Sequence, residues 1–287
     1  MCLYPHKCYQ LHYGDKVVFG EPRHSPDKML ELYPEFRLFS VPCGKCVECM
    51  QSRSNEWVHR CLDELKSHSS AVFVTLTYAQ TDGNLCYRDF QLFMKSLRKK
   101  YPDKTIRYIV CGEYGKLKNR PHFHAILFGI DFNADKRHFF NDKHGCPIYL
   151  SETLQSLWKH GFVSMGDVSE TTIRYVTKYL TKFDSRSHKV KPFIHMSTRN
   201  GIGYNAIKPE MLFTDKIYHN GSYMKIPRYY LKVFEREGIH LDDLKKNRMF
   251  KAETMQHSQE TLKKLRQNEQ TLKKPFEKVD KEREEVI

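Results

Sequence analysis

The segment RPHFHAILFG (residues 120–129) contains the pattern that decides the fold. Its run of apolar and aromatic residues predicts a β-strand over 122–129. Because side chains alternate between the two faces of a strand, His122 and His124 lie on one side and Phe123 on the other. Two neighbouring imidazoles are a ready pair of metal ligands, although a His-x-His pair in a strand is also a common coincidence. The interpretation therefore depends on what lies around the pair.

A second strand precedes the histidines and supplies a carboxylate. The run RYIVCGE (107–113) is strand-like, and the Gly- and Lys-rich segment YGKLKNRP (114–121) is typical of a β-hairpin loop. The hairpin would place Glu113 beside the histidine pair. Two imidazoles and one carboxylate form a three-ligand site with open positions, which suits a divalent ion that also holds a substrate phosphate.

The flanking sequence completes an alternation of strands and helices. FVTLTY (73–78) is rich in β-branched and aromatic residues, and apolar residues at helical spacing then predict an amphipathic helix over about 88–100. After the hairpin, the pattern predicts a helix around 154–158, a short strand at 162–165 and a helix over about 170–182. This order indicates an α+β fold with a largely antiparallel sheet, helices packed on one face and the other face free to bind.

The last of these helices contains RYVTKYLTK (174–182). At about 100° per residue, its aliphatic residues form one stripe, and a group of tyrosines and lysines lies roughly 140° away from that stripe. The stripe is Ile173, Val176 and Leu180, and the second group is Tyr175, Lys178, Tyr179 and Lys182. In an ordinary helix the tyrosines would be packing residues with lysine stems beside them.

Beside a metal site, the same tyrosines acquire a chemical role. A tyrosine hydroxyl has a reference pKa near ~10 and becomes a good nucleophile only when a cation stabilises its phenolate or a base removes its proton. Lys178 follows Tyr175 at i+3 and could supply that charge. Tyr175 and Tyr179 lie one turn apart, so both could reach one site.

Composition limits the class of partner. The 287 residues contain 48 Lys and Arg against 34 Asp and Glu, a formal net charge of +14, which points to a polyanion. Aromatic residues make up 13% of the chain, which excludes collagen-like and wholly disordered proteins. No run approaches the ~18 apolar residues of a membrane span. The N-terminal MCLYPHKCYQ also lacks the apolar core of a signal peptide, so we expect a soluble cytoplasmic protein.

Three of the nine cysteines are regularly spaced: Cys43, Cys46 and Cys49. An odd total without an export signal argues against a disulfide framework, and in a reducing compartment the spacing favours metal ligation. Structural zinc, an iron–sulfur cluster and unligated reduced thiols all remain open. A fourth ligand would have to come from elsewhere, and the candidates are Cys2, Cys8 and Cys61.

The chain divides into four segments. We predict a Cys-rich N-terminal segment with a helix (1–66), an endonuclease-like core (67–185), a basic and aromatic-rich subdomain (186–235), and a charged helical or disordered tail (236–287). The third segment has the composition of a single-strand groove, with cations for phosphates and rings for bases. The same composition is also common in surface β structure.

Three motifs in order resemble those of a known superfamily. FVTLTY, then GEYG…RPHFHAILFG, then YVTKYLTK resemble the motifs of the HUH endonucleases of rolling-circle replication. The likeness is strongest to the replication initiators of microviruses, in the gokushovirus branch, and it covers roughly 1–235. CGKCVEC (43–49), HMSTRNGIGY (195–204) and KIPRYYLK (225–232) also resemble that branch.

The resemblance implies a fold, an activity and residue roles. The core would be RRM-like or ferredoxin-like, and the protein would nick origin DNA in one strand, keeping a 5′-phosphotyrosine and leaving a 3′-hydroxyl for a host polymerase and helicase. In two-tyrosine members the second tyrosine cuts and rejoins the displaced strand. Carried over, the metal ligands are Glu113, His122 and His124, the nucleophiles are Tyr175 and Tyr179 with Lys178, and the DNA contacts are Arg120, Arg174 and Lys182.

The resemblance also implies magnesium or manganese as cofactor and the cytoplasm of a bacterial host as the place of action. Three rival interpretations remain. A relaxase would use the same chemistry but usually carries a tyrosine cluster near its N-terminus and a long extension. A single-tyrosine HUH transposase is usually shorter and lacks the cysteine segment. A zinc-stabilised protein that binds single strands without catalysis is the third.

Overall fold

The computed structural model describes residues 2–115, 119–142, 144–178, 188–219, 222–254 and 259–267. The strands are β1 (His6–Gln10), β2 (Val18–Phe19), β3 (Arg37–Val41), β4 (Ala71–Thr77), β5 (Arg107–Tyr114), β6 (Pro121–Phe128), β7 (Arg137–Asn141), β8 (Pro147–Leu150), β9 (Val163–Asp167), β10 (Phe193–Met196), β11 (Lys216–His219) and β12 (Ser222–Lys225). The helices are α1 (Pro26–Leu32), α2 (Val47–Leu65), α3 (Tyr87–Lys100), α4 (Glu152–Leu157), α5 (Glu170–Lys178), α6 (Met211–Thr214), α7 (Arg228–Arg236), α8 (Asp242–Thr254) and α9 (Gln259–Gln267), with a 3₁₀ turn at Tyr204–Ala206.

A seven-stranded sheet forms the centre of the molecule, with strand order β10-β5-β6-β4-β9-β8-β7. Every neighbouring pair in it is antiparallel, so the predicted α+β fold with an antiparallel sheet and flanking helices is confirmed. The predicted strands over 107–113 and 122–129 correspond to β5 and β6. Edge strand β7 was not anticipated, because its side chains are almost all exposed and carry no burial pattern.

Helices cover both faces of the sheet. On one face, α3 and α4 bury Phe90 and Leu154 against the odd-numbered side chains of β6, such as Phe123. On the other, α2 and α5 bury Val58 and Ile173 in a second apolar cluster that includes β5 and β6. The expectation that one face stays free is therefore wrong. The physical reason is that the apolar residues of β5 and β6 occupy both faces, and each face must be shielded from water.

Helix α2 anchors distant parts of the chain through buried polar groups near its C-terminal end. The hydroxyl of Tyr230 donates to Asp63 (2.8 Å), and the backbone N–H of Gly203 donates to Glu64 Oε2 (2.7 Å). Arg107 on β5 donates to the other oxygen of the same carboxylate. These bonds satisfy charges that would be costly to bury alone, and they join the sheet, α2 and the 199–204 segment.

A smaller three-stranded sheet, β2-β1-β3, lies near the N-terminus. Helix α8 packs on β3, where Arg37 pairs with Glu253 (3.1 Å). The β11 and β12 strands form a separate hairpin. None of the helices in the described part of the chain is long and apolar enough to cross a membrane.

The close approach of the 199–204 segment to α2 can be tested with a matched pair of glycines. Gly203 and Gly83 both have φ +83°, but a Cβ on Gly203 would lie 2.3 Å from the Tyr230 hydroxyl, whereas a Cβ on Gly83 meets nothing within 4 Å. Both Ala substitutions carry the cost of left-handed backbone, about 1–2 kcal/mol. Gly203→Ala should cost roughly 2 kcal/mol more, because Tyr230 is held by Asp63 and cannot move aside. Urea unfolding measures both, and equal losses would contradict this packing.

Candidate active site

Strand register brings the candidate ligands together. In the β5–β6 pair, Glu113 lies directly opposite His122, and in the β4–β6 pair Thr75 lies directly opposite His124. Because His122 and His124 are two residues apart, both side chains point to the face covered by α2 and α5. The hairpin is the cause, since its loop fixes which residues of β5 and β6 face each other.

The two histidines present the same ring nitrogen to the carboxylate. His122 Nε2 and His124 Nε2 lie 3.1 and 2.9 Å from Glu113 Oε1. The other nitrogens are occupied: His122 Nδ1 lies 3.0 Å from the Arg120 carbonyl oxygen, and His124 Nδ1 lies 3.0 Å from Thr75 Oγ1. A carbonyl can only accept, so the His122 Nδ1 carries a proton. That proton leaves Nε2 of the neutral ring as a lone pair directed at Glu113.

This convergence of acceptors fits a cation. Burial acts to raise the pKa of Glu113, but hydrogen bonds from His122 and His124 and their positive charge outweigh it and hold the pKa well below its ordinary value. An ionised carboxylate facing imidazole lone pairs is stabilised by positive charge placed between them, supplied by protons or by a metal. The three ligand atoms lie within 4.8 Å of one another, close enough to hold one ion.

Helix α5 positions Tyr175 over the ligands. Ser169 caps the helix, accepting from the Thr172 backbone N–H (3.2 Å), and Ile173 and Val176 are fully buried against α2 and the sheet. This packing turns Tyr175 toward the histidines. Its hydroxyl lies 3.2 Å from Glu113 Oε1 and 3.1 Å from His124 Nε2.

Phe73 on β4 supports both rings. It stacks on the His124 imidazole, with centroids 5.7 Å apart and an interplanar angle of 9°, and it meets the Tyr175 ring edge-on at 6.3 Å. Such contacts restrict ring rotation and so hold the imidazole and phenol in place. Sequence reasoning noted the FVTLTY strand but assigned no role to Phe73 or Thr75. The one available signal was their alternation with the buried residues Val74 and Leu76.

The structure describes only some of the remaining sequence-predicted residues. Tyr179 and Lys182 lie outside the described residues, and Lys178 is the last residue of α5. Arg120 is exposed in the turn before β6. The Arg174 guanidinium donates to Glu170 Oε1 (2.6 Å) and to Asn55 Oδ1 (2.7 Å), which ties α5 to α2. Contact of these arginines with DNA therefore stays a proposal.

Several rings of the basic, aromatic-rich stretch belong to the protein interior. Tyr230 is fully buried, and the Tyr229 hydroxyl accepts from the Gly201 backbone N–H (2.6 Å). Tyr218 and Tyr223, by contrast, are exposed on the β11–β12 hairpin, with ring centroids 5.3 Å apart. The stretch thus combines structural tyrosines with surface ones.

A second group of ligand-type side chains lies at the start of α2. The sulfurs of Cys43, Cys46 and Cys49 are joined by that of Cys2, and all four lie within 4.8 Å of one another. Cys2 is thus the fourth member among the three candidates. Cys8 is buried on β1, and Cys61 lies in the apolar cluster beneath α2.

Comparison with known proteins places the chain among replication proteins. A family of replication-associated proteins of the ORF2 type matches residues 71–184, the span that includes β4, β5, β6 and α5. The chain is 31% identical to the replication-associated protein VP4 of Bdellovibrio phage phiMH2K, over 70% of each chain. It is 29% identical to the replication-associated protein ORF2 of Spiroplasma virus 4, over 86% of this chain and 85% of the relative.

A third relative is the replication-associated protein ORF4 of Chlamydia phage 1. It is 31% identical over 72% of this chain and 57% of the relative. No solved structure matches the chain significantly.

The hydrogen bond from Thr75 to His124 predicts a measurable effect on metal affinity. Thr75→Val keeps the side-chain shape but removes the partner of His124 Nδ1, so Mn²⁺ should bind roughly 10–100-fold more weakly. Thr77→Val is the matched control, because Thr77 lies on the same face of β4 but donates to the Phe162 carbonyl (2.9 Å) instead of a histidine. Calorimetric titration with Mn²⁺ gives both affinities. Equal affinities for the two variants would show that Thr75 does not orient the ligand.

Proposed function

The chain belongs to the replication-associated proteins of gokushovirus-like microviruses, and we propose that it initiates rolling-circle replication by nicking single-stranded DNA at the phage origin. One observation carries the proposal. The hydroxyl of Tyr175 lies 3.1–3.2 Å from His124 Nε2 and Glu113 Oε1, two of three convergent ligand atoms. A nucleophile placed beside a cation-binding group is the arrangement that phosphodiester transfer requires.

The first chemical step is a transesterification. The Tyr175 oxygen attacks the phosphorus of one phosphodiester, a new oxygen–phosphorus bond forms, and the bond from phosphorus to the 3′ oxygen breaks. The phenolic proton is lost and the departing 3′ oxygen gains a proton, so the number of phosphate esters is unchanged. The products are a 5′-phosphotyrosine and a free 3′-hydroxyl that a host polymerase, with a host helicase, can extend.

Glu113, His122 and His124 are the residues that would hold the metal. A magnesium or manganese ion there would neutralise charge on the phosphate oxygens and lower the barrier to attack. The chain's own residues do the positioning: β5 and β6 fix the ligands, and Phe73 and α5 hold the phenol. Carboxylate and imidazole suit manganese well, and magnesium accepts the carboxylate together with substrate oxygens.

The sequence of α5 and the residues after it supports a two-step reaction. Tyr175 with Lys178 and Tyr179 with Lys182 repeat the same Y-x-x-K spacing. We assign Tyr175 to the first cut and Tyr179 to the second, which cuts and rejoins the displaced strand. Lys178 would stabilise the Tyr175 phenolate. Arg120, Arg174 and Lys182 would contact DNA phosphates, in line with the net charge of +14.

The metal site can be tested by separating cutting from binding. His122→Ala combined with His124→Ala should abolish cleavage of a labelled origin oligonucleotide, while affinity for the strand changes less than about threefold, because affinity comes largely from phosphate contacts. His138→Ala, at an exposed position on β7, is the control and should cut normally. Gel assays with Mn²⁺ and with chelator give the result. Full cutting by the double variant in chelator would contradict the proposal.

The division of labour between the tyrosines predicts different single-variant defects. Tyr175→Phe keeps the ring and removes the attacking hydroxyl, so first-strand nicking should fall at least ~10³-fold. Tyr179→Phe should nick but fail to rejoin the displaced strand into a circle. Mass spectrometry of the trapped adduct should place the 5′ phosphate on Tyr175.

The exposed Tyr218 provides a control, since Tyr218→Phe should nick and rejoin normally. An adduct found only on Tyr179 would overturn the assignment of the first cut. A covalent adduct in the double Tyr175→Phe, Tyr179→Phe variant would overturn tyrosine catalysis altogether and leave strand binding as the remaining function.

A further inference from the structure

Four cysteine sulfurs converge at the start of α2, away from the residues used for nicking. Cys2 comes from the N-terminal arm, Cys43 and Cys46 from the connection between β3 and α2, and Cys49 from the first turn of α2. Their sulfurs all lie within 4.8 Å of one another. Two distant parts of the sequence thus meet at one point.

Backbone N–H groups point at these sulfurs. The N–H of Cys43 lies 3.2 Å from Cys2 Sγ, and that of Leu3 lies 3.4 Å from Cys46 Sγ. Cys43 Sγ accepts from two successive N–H groups, those of Lys45 (3.5 Å) and Cys46 (3.3 Å). Gly44 provides the tight turn that this requires, with φ +73°. Several donors directed at sulfur match thiolates, which are stronger acceptors than thiols.

The geometry selects the type of metal. Zinc bound tetrahedrally at a zinc–sulfur distance near ~2.3 Å places its sulfurs roughly 3.8 Å apart. Cys46 Sγ and Cys2 Sγ are 3.9 Å apart. A four-iron cluster would interpose several atoms and spread the thiolates further. Four soft sulfur ligands also exclude magnesium and manganese, so this group differs in chemistry from Glu113 and the histidines.

We propose that Cys2, Cys43, Cys46 and Cys49 bind one structural zinc ion that fastens the N-terminal arm to the start of α2. The site is closed, because four protein ligands leave no position for substrate. Its binding free energy is available to hold the arm in place. The backbone carbonyl of Leu3, next to Cys2, also accepts from Arg266 on α9 (2.7 Å). The zinc would thereby organise the junction between the arm, α2 and α9.

The ion has a structural route to the tyrosine helix. Cys49 lies in the first turn of α2, and Ser54 and Asn55 follow within the next two turns. The Ser54 hydroxyl lies 3.4 Å from that of Thr177, and Asn55 accepts from Arg174, so both reach α5. Fixing the start of α2 therefore fixes the surface against which α5 packs. This is a positioning role, and it does not require the zinc to touch DNA.

The first experiment measures metal content without any nicking assay. Wild-type protein purified without added metal should contain about one zinc per chain by mass spectrometry, and Cys46→Ser at least about tenfold less. Cys86→Ser, an exposed cysteine outside the group, is the control and should keep the zinc. Cys2→Ser is a second variant that alters only the arm. Replacing zinc by Co²⁺ in the wild type should produce the absorption of a tetrahedral cobalt thiolate.

A further variant separates this site from the proposed nicking centre. The His122→Ala, His124→Ala double variant should keep its zinc fully, since it retains all four cysteines. Loss of zinc there would assign the metal to the histidines and overturn the proposal. Folded wild-type protein without zinc, or with iron in its place, would overturn it as well. Failure of nicking in the wild type would leave the zinc result untouched.

The positioning role has its own readout. Hydrogen–deuterium exchange should be at least roughly tenfold faster in residues 47–58 and 170–178 of Cys2→Ser than in wild type, and unchanged in β7 and β8, because only the former elements depend on the clamp. Faster exchange confined to the arm would show that the ion holds the arm without supporting α5. Uniformly faster exchange would indicate general destabilisation and would contradict a local clamp.

Discussion

The pairing register of β5 with β6 is the constraint on which the rest of the site depends. Glu113 faces His122 across this pair, and the alternation of side chains sends His124 to the same face and Phe123 into the opposite core. A slip by one residue would exchange the two faces, burying imidazoles among aromatic rings and exposing Phe123. The apolar packing beneath the sheet and the ligand set above it therefore enforce the same register.

Helix α2 transmits that order to the nucleophile. It packs on the sheet through apolar residues such as Val58, and its buried acids Asp63 and Glu64 hold the segments that follow α5 in the chain. Burying those acids is favourable only because each meets specific donors. Helix α5 then lies on a surface that is fixed from both ends, through Ser54 near the start of α2 and through Ile173 in the apolar cluster.

The predictability of these features follows the distance over which each contact acts. Glu113 and His122 could be paired from sequence because a short hairpin loop joins their strands, and such loops limit the register. Thr75 could not be placed beside His124, since β4 reaches β6 through tertiary pairing alone. Coverage of the second sheet face was missed because α2 buries charged residues along with apolar ones. Cys2 stayed one of three candidates because an extended arm has no periodic pattern.

The distribution of exposure separates the parts of the site that must be rigid from the part that must be reached. The side chains of Glu113 and His124 are 3% exposed, and that of His122 is 13% exposed. Tyr175 is half-buried and is carried by a helix at the edge of the ligand group. Buried ligands on paired strands keep their geometry when a substrate binds. A nucleophile that becomes attached to a DNA strand has to lie where the strand can enter and leave. The opening on the side of His122 and Tyr175 meets both requirements, because the ligands fix the position of the reaction and the helix admits the polymer.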